Sequence, residues 1–285
     1  MSLRVAPPAV ATAEALPEIV SLLERVFPRE RPWAPDLDWQ YLRNPAGPAR
    51  YVNAYAESGA LIAHYGLLPT LPLAEPPVEF AGTYLSLNVA ADPAARVPGL
   101  MIATTRALYR HVQADGRVLI LGVTNENSEQ GFVKMLGFRS LGQLSLTAHL
   151  PGMLPKVATQ RALAQNDAQL AWRTSRPGVE CFGDPGQGAL MVRLHHRGVP
   201  LDAVLSAGLE RDVVGRLGLP RPPIWTPRLY AGFGGRVGGG VTVPARLRPS
   251  PLAYVFRVLG DNALTEPLTR LLLARRFEFL DFDVV

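Results

Sequence analysis

The sequence predicts an α/β protein built as two units, and three observations carry that reading. Between Tyr84 and Phe138, two apolar strand-like runs are each followed by a loop and a helix-like run. Leu150-Pro151-Gly152-Met153-Leu154-Pro155 interrupts helix and strand alike and marks a boundary, giving units over 1–150 and 156–285. Beyond it an order of features returns. Trp39 to Pro45 precedes strand-like runs at 51–57 and 61–67, and Trp172 to Pro177 precedes runs at 179–183 and 189–194.

The elements follow in order. A strand is expected over 3–6, a helix over 13–26, then two strands joined by the Ser58-Gly59 turn. Tyr84-Leu85-Ser86-Leu87-Asn88-Val89 reads as a strand and is followed by a loop holding Pro93. Arg96-Val97-Pro98-Gly99-Leu100-Met101 then opens a helix over roughly 99–114, its Val97, Leu100, Thr104 and Leu108 spaced to anchor one face. Val118-Leu119-Ile120-Leu121-Gly122-Val123 is the next strand. It leads through Asn125-Glu126-Asn127-Ser128 into a short helix that ends at Met135-Leu136-Gly137-Phe138. The second unit reads as strands over 202–207, 228–233, 240–246 and 277–284, with a helix near 209–217.

Composition narrows the function classes. With 48% apolar and 19% charged residues the chain can bury substantial cores and is not of disordered composition. No run approaches the roughly 18 apolar residues of a membrane span, and the N-terminus lacks the apolar centre of a secretory signal, so a soluble cytoplasmic protein is expected. One cysteine, Cys181, excludes an internal disulfide framework and reads as a small buried hydrophobe. Of 29 basic residues 27 are arginine, dispersed rather than clustered, which resembles the codon bias of a GC-rich bacterium more than a nucleic-acid interface. The excess of +5 suits attraction of an anionic cofactor, and equally the solvated surface on which most single arginines stand. His195-His196 would face opposite sides of a strand with no third ligand at spacing, so no metal is expected. The Gly-rich 232–240 stretch reads as a hairpin or bulge, and Asp281 and Asp283 as one face of an exposed edge.

The strand, loop and helix around Gly99 form an anion site. The first helical turn leaves N–H groups without intrahelical acceptors, the helix dipole favours negative charge, Gly99 permits close approach and Arg96 adds fixed charge.

Arg96-x-x-Gly99-Leu100-x resembles the pyrophosphate-binding Gln/Arg-x-x-Gly-x-Gly/Ala signature of the GNAT (GCN5-related) N-acyltransferases. Asn125-x-x-Ser128-x-x-x-Phe132, closing on Gly137-Phe138, resembles their second motif, Asn-x-x-Ala-x-x-x-Tyr ending in Gly-Phe, with one residue more between the ring and the glycine. The resemblance covers residues 3–150 and implies a mixed sheet, a GNAT-like acyl-CoA fold, and acetyl-CoA as co-substrate. It implies that Arg96, Val97, Gly99, Leu100 and Met101 hold the pyrophosphate. A backbone N–H near Val89 would polarise the thioester, and Asn125, with Ser128, would meet the pantetheine arm in a gap between strands. Asn125 serves equally well as a helix cap. Two departures stand out: Met101 takes a Gly/Ala position, and Phe132 stands where many members carry a tyrosine that protonates the departing thiolate.

A cationic amine cannot attack, and presenting it neutral near pH 7.4 costs about 4 kcal/mol, so a base or water chain is expected. The strand over 84–89 offers only Tyr84, Ser86 and Asn88 on one face. Glu57, His64 and Glu79 are the candidate bases nearby. The leading expectation is an acetyl-CoA-dependent N-acyltransferase acting on a small amine or amino sugar, with no nucleic-acid or membrane partner. A non-catalytic acyl-CoA sensor or scaffold and a tandem aminoacyl transferase are the competing readings.

Overall fold

The computed structural model describes residues 3–28, 33–95, 97–157, 160–196, 198–233, 237–244, 246, 248 and 251–281. In the first half, β1 (Leu3–Val5), β2 (Ala9–Val10), α1 (Leu16–Val26), α2 (Trp33–Leu42), β3 (Arg50–Ala56), β4 (Leu61–Pro69) and β5 (Gly82–Ala91) lead to α3 (Leu100–Gln113). β6 (Val118–Asn125), α4 (Glu126–Gln130), β7 (Arg139–Gln143) and β8 (Ser145–His149) follow. The second half holds β9 (Lys156–Val157), α5 (Asp167–Thr174), β10 (Cys181–Asp184), β11 (Ala189–His196), β12 (Val199–Ser206), α6 (Arg211–Arg216) and β13 (Arg228–Phe233). It closes with β14 (Val237–Gly238), β15 (Val241–Thr242), β16 (Leu252–Leu259), α7 (Thr265–Ala274) and β17 (Phe277–Glu278). Among the described residues no helix is long and apolar enough to cross a membrane.

Apolar spacing sets each helix on its sheet. α1 buries Leu16, Ile19, Leu22 and Leu23 at helical period, and α3 buries Leu100, Thr104, Leu108 and Val112 on the opposite face of the same sheet. The first sheet runs β1-β3-β4-β5-β6-β16-β7 and the second β10-β11-β12-β13-β8-β15. Both are mixed, because β5 pairs β6 and β12 pairs β13 in parallel while the other neighbours are antiparallel. This is the α/β architecture the sequence predicts.

The boundary expected near 150–156 is crossed twice. β8, from before it, inserts beside β13 in the second sheet; β16, from after it, runs beside β6 from Leu252↔Asn125 to Leu259↔Val118 in the first. Each sheet therefore takes one strand from the other half of the chain, at the same place in its order. The largest buried core accordingly joins Leu119 and Leu121 of β6, Tyr254 and Phe256 of β16, Trp172 of α5 and Leu268 of α7.

Other expectations are corrected here. The run expected as a strand over 277–284 pairs only at Phe277 and Glu278, then turns through a 3-10 helix over Phe279–Asp281. Asp281 is 2% exposed, ion-paired to Arg161, and is no exposed edge; Asp283 lies outside the described residues. Of the 232–240 stretch, 234–236 lie outside them too, and β14 pairs β9. Cys181 is buried, and burial pushes its thiol up to about 11.

Candidate functional site

β5 and β6 lie in register from Gly82↔Val118 to Ser86↔Gly122, and beyond that pair they run on to Ala91 and Asn125 without pairing each other. Two parallel strands thus diverge at the ends that lead into α3 and α4. A bulge helps to open them. Between His64↔Ala90 and Gly66↔Leu87, β4 spends two steps where β5 spends three. The surplus residue is Asn88, at φ 51 the one non-glycine with positive φ among the described residues. Asparagine tolerates that conformation better than most side chains do.

The bulge overturns one expectation about faces. Tyr84 packs on the α3 side and Ser86 bonds Tyr65 there, but Asn88 turns to the α2 side, donating from Nδ2 to Gln40 Oε1 at 3.0 Å and the Tyr41 hydroxyl at 3.3 Å. Strict alternation fails because the extra residue shifts the pleat by one. Val89, next in the chain, returns to the α3 side.

Around Asn88 a polar network fills the space beneath α1 and α2. His64 is fully buried, with Nε2 2.8 Å from the Tyr41 hydroxyl and Nδ1 2.8 Å from Asn53 Oδ1. Asn53 donates to Glu18 Oε1 at 3.0 Å, so its Oδ1 is the acceptor and Nδ1 of His64 carries the proton. Tyr41 then donates to Nε2. Burial pushes the His64 imidazole down to about 3 and the Tyr41 phenol well up. His64 is held neutral, without solvent contact, which removes the motive for naming it as a general base titrating near neutrality. Tyr41, Asn53 and Glu18 escaped sequence reasoning; an asparagine in the middle of an apolar strand was the available signal.

The other two candidate bases separate. Glu57 is exposed in the β3–β4 turn, at the edge where β5 ends. Glu79 is exposed just before β5 begins, at the opposite end of the sheet, where a cleft is lined by Arg50, Thr70, Phe80 and Tyr84. The structure therefore does not bring Glu79 to the diverging strands.

The loop after β5 leads to Gly99, which precedes α3 at φ 72, a conformation that costs a side-chain-bearing residue about 1–2 kcal/mol. A Cβ there meets nothing within 4 Å, so the position needs the backbone angle and not the space. Val97, Leu100 and Met101 pack against Ala54, Ile62 and Ala63 and seat the helix start on the sheet. Arg96 lies outside the described residues.

At the end of β6, Asn125 caps α4. Its Oδ1 accepts from the Ser128 amide at 3.0 Å while the Ser128 hydroxyl accepts from the Asn125 amide at 3.1 Å. The cap engages Oδ1 and leaves Nδ2 out of it. A π-helical turn over Gly131–Met135 follows, one residue wider per turn than an α-helix. It absorbs the additional residue that separates Phe132 from Gly137. Phe132 is buried edge-on against Phe138, their centroids 5.0 Å apart.

The second sheet repeats the geometry and fills it. β12 and β13 pair only from Asp202↔Arg228 to Val204↔Tyr230, and β12 carries a bulge between Leu190↔Ser206 and Met191↔Val204. Into the divergence comes β17, against β13, with Glu278 fully buried. Its Oε2 accepts from the Ala207 amide at 3.3 Å, and its Oε1 accepts from Ser206 at 3.2 Å and Arg161 at 2.7 Å. Burial raises the Glu278 carboxyl, against the pull of Arg161 and Arg276.

No protein-family model matches the sequence, and no curated protein matches it. Among solved structures the chain is similar to a probable N-acyltransferase of Enterococcus faecalis, with TM-score 0.52 and 12% identity over 91% of this chain and 71% of that one. It is similar to GCN5-related N-acetyltransferases of Anabaena variabilis (TM-score 0.56, 10% identity, 89% and 72%) and Kribbella flavida (TM-score 0.54, 9%, 90% and 72%). With its paired sheets, bulged strands and helix starts, the protein has the GNAT fold, laid out in tandem.

Proposed function

We propose that the protein is an N-acyltransferase that takes acetyl-CoA as donor and a small amine or amino sugar as acceptor. The divergence of β5 and β6 beyond Ser86↔Gly122, with Gly99 at φ 72 opening α3 beside it, carries the reading. Pantetheine enters the divergence, where Nδ2 of Asn125 is free of the cap that Ser128 completes. The pyrophosphate meets Arg96 and the amides of Val97, Gly99 and Met101, at a helix start that favours anions, while the Leu100 amide closes the turn onto the Val97 carbonyl at 3.2 Å. The Val89 amide, next to the bulge, polarises the thioester carbonyl, a contribution of about 3–4 kcal/mol for a preorganised donor. Deprotonation of the amine falls to Glu57 or to water at the open edge. His64, through Tyr41, holds the bulge.

One observation favours a second reading, a non-catalytic acyl-CoA binder: Phe132 carries no proton for the leaving thiolate. Calorimetric titration with acetyl-CoA and CoA, then thiol release with a panel of amines, separates the two. Gly99→Asp sets a carboxylate at the pyrophosphate position and is expected to weaken acetyl-CoA at least tenfold. Unchanged affinity in that variant rejects the site.

A further inference from the structure

A row of three hydroxyls starts where β5 and β6 part. Ser86 is the β5 member of the last paired step, and its partner Gly122 leaves room: a Cβ at 122 would meet Cβ of Ser86 at 3.4 Å. The Tyr65 hydroxyl donates to Ser86 Oγ at 3.0 Å. Because a phenol has one proton, the 3.0 Å contact between Tyr65 and Tyr109 has Tyr109 as donor. The protons run in one direction, from Tyr109 to Tyr65 to Ser86, and Ser86 keeps its own O–H to give. Tyr65 and Tyr109 lie on the α3 side of the sheet in the same buried cluster as Phe132, and Ser86 is half-buried beside them. Beyond it the Arg257 guanidinium of β16 stands over the Tyr109 ring, 4.9 Å from its centroid. Burial pushes the Tyr65 phenol up to about 12 while its bonds to Ser86 and Tyr109 and the Arg257 charge pull the other way.

We propose that Ser86 is a catalytic residue that donates its hydrogen bond to the sulfur of the departing CoA thiolate, in place of the phenol that Phe132 lacks, and that Tyr65 and Tyr109 are its positioning residues. The inference rests on acyl-CoA entering the divergence. In the step, the amine nitrogen forms the C–N bond, the C–S bond breaks, and its electron pair stays on sulfur. The amine proton leaves to water or the base, and the thiolate takes its proton from water after release. Ser86 transfers no proton; its O–H, polarised by two further hydroxyls and a cation, stabilises the anion while it forms.

The test uses the full chain as wild type, Ser86→Ala, Tyr65→Phe, Phe132→Tyr and the Ser86→Ala/Phe132→Tyr double variant. Acetyl-CoA affinity is measured by calorimetry, turnover by thiol release with the best amine of the panel, and ionisation of bound CoA by ultraviolet absorbance of its thiolate against pH. Ser86→Ala is expected to keep melting temperature and acetyl-CoA affinity within about threefold and to lower turnover about 10- to 100-fold, as for a lost hydrogen bond to a charged group. The bound thiol should titrate about one pH unit higher in that variant. Tyr65→Phe should shift both readouts the same way by less, and Phe132→Tyr should restore much of the turnover lost by Ser86→Ala. Unchanged turnover and unchanged thiol titration in Ser86→Ala overturn the assignment, as does a defect confined to melting temperature. If wild type does not bind acetyl-CoA, the donor site falls, and this inference with it.

Discussion

Trp39 and Trp172 hold each other by a reciprocal pair of hydrogen bonds. Nε1 of Trp39 donates to the Trp172 carbonyl at 2.9 Å and Nε1 of Trp172 to the Trp39 carbonyl at 3.0 Å, across 133 residues of chain. The indoles stack at 4.5 Å with 14° between their planes. The pair is a local two-fold axis between α2 and α5. Trp39→Phe and Trp172→Phe each lose a buried hydrogen bond and ring area, and each should destabilise by about 1.5–3 kcal/mol. Denaturant titrations of both singles and the double variant check this, with a coupling energy well above zero expected for rings in contact.

Around the same axis the symmetry is broken electrostatically. Arg176, four residues past Trp172, grips Asp36 by Nε at 3.1 Å and Nη2 at 3.0 Å, both side chains buried. The matching positions are Arg43 and Gln169. Arg43 pairs with the half-exposed Asp38 instead, and Oε1 of Gln169 is buried without a hydrogen bond among the described residues. Asp36→Asn should cost about 3–5 kcal/mol by leaving a guanidinium buried beside a neutral group. Asp38→Asn should cost no more than about 1 kcal/mol. Equal effects in chemical denaturation count against the buried pair.

His64 makes a prediction about acid. Its folded pKa is depressed to about 3 by burial, below the unfolded value of about 6.5, so between those values the unfolded chain binds the extra proton. Stability present above pH 6.5 is therefore lost as pH falls toward 3, at up to about 1.4 kcal/mol per pH unit. His64→Gln, which cannot titrate, should lack this share of the slope. Stability curves of the two proteins that run parallel between pH 7 and 5 would show that His64 is not held neutral.

Strand exchange predicts how the halves behave alone. A fragment over 1–150 lacks β16, whose Tyr254, Val255 and Phe256 are fully buried against the first sheet, and exposes the full length of β6. It is expected to show no cooperative melting transition. Adding a fragment over 156–285 should restore one only when the two associate. A monomeric, cooperatively melting 1–150 fragment counts against interdependence.

Much of this could be read in the residues, and the failures have physical causes. Gly99 and the apolar runs of β5, β6 and α3 are local signals, set by backbone angle and periodicity, and they place the candidate site. The one-residue departure before Gly137 is visible in the sequence, but a π turn is its meaning only once Phe132 and Phe138 are seen packed together. Asn88 defeats period-two reasoning because a bulge moves it to the other face. His64 looks titratable until its burial is known. The apolar run over 252–259 contains nothing that tells which sheet receives it, since partner choice between two similar sheets is a long-range matter. The filled cleft at Glu278 is invisible for the same reason.

The place of β16 also sets a timetable. Chains emerge from the ribosome N-terminus first, at about 5–20 residues per second. The loop at Gly99 and the cap at Asn125 are made early, yet the strand that backs β6 along Leu252–Leu259 comes last among the strands of the first sheet. Contacts so distant in sequence form slowly. For many seconds of synthesis the nascent first half carries an open strand edge, exposed to mispairing and to chaperones. The diverging ends of β5 and β6 therefore stand without the strand behind β6 until Leu252–Leu259 has been made.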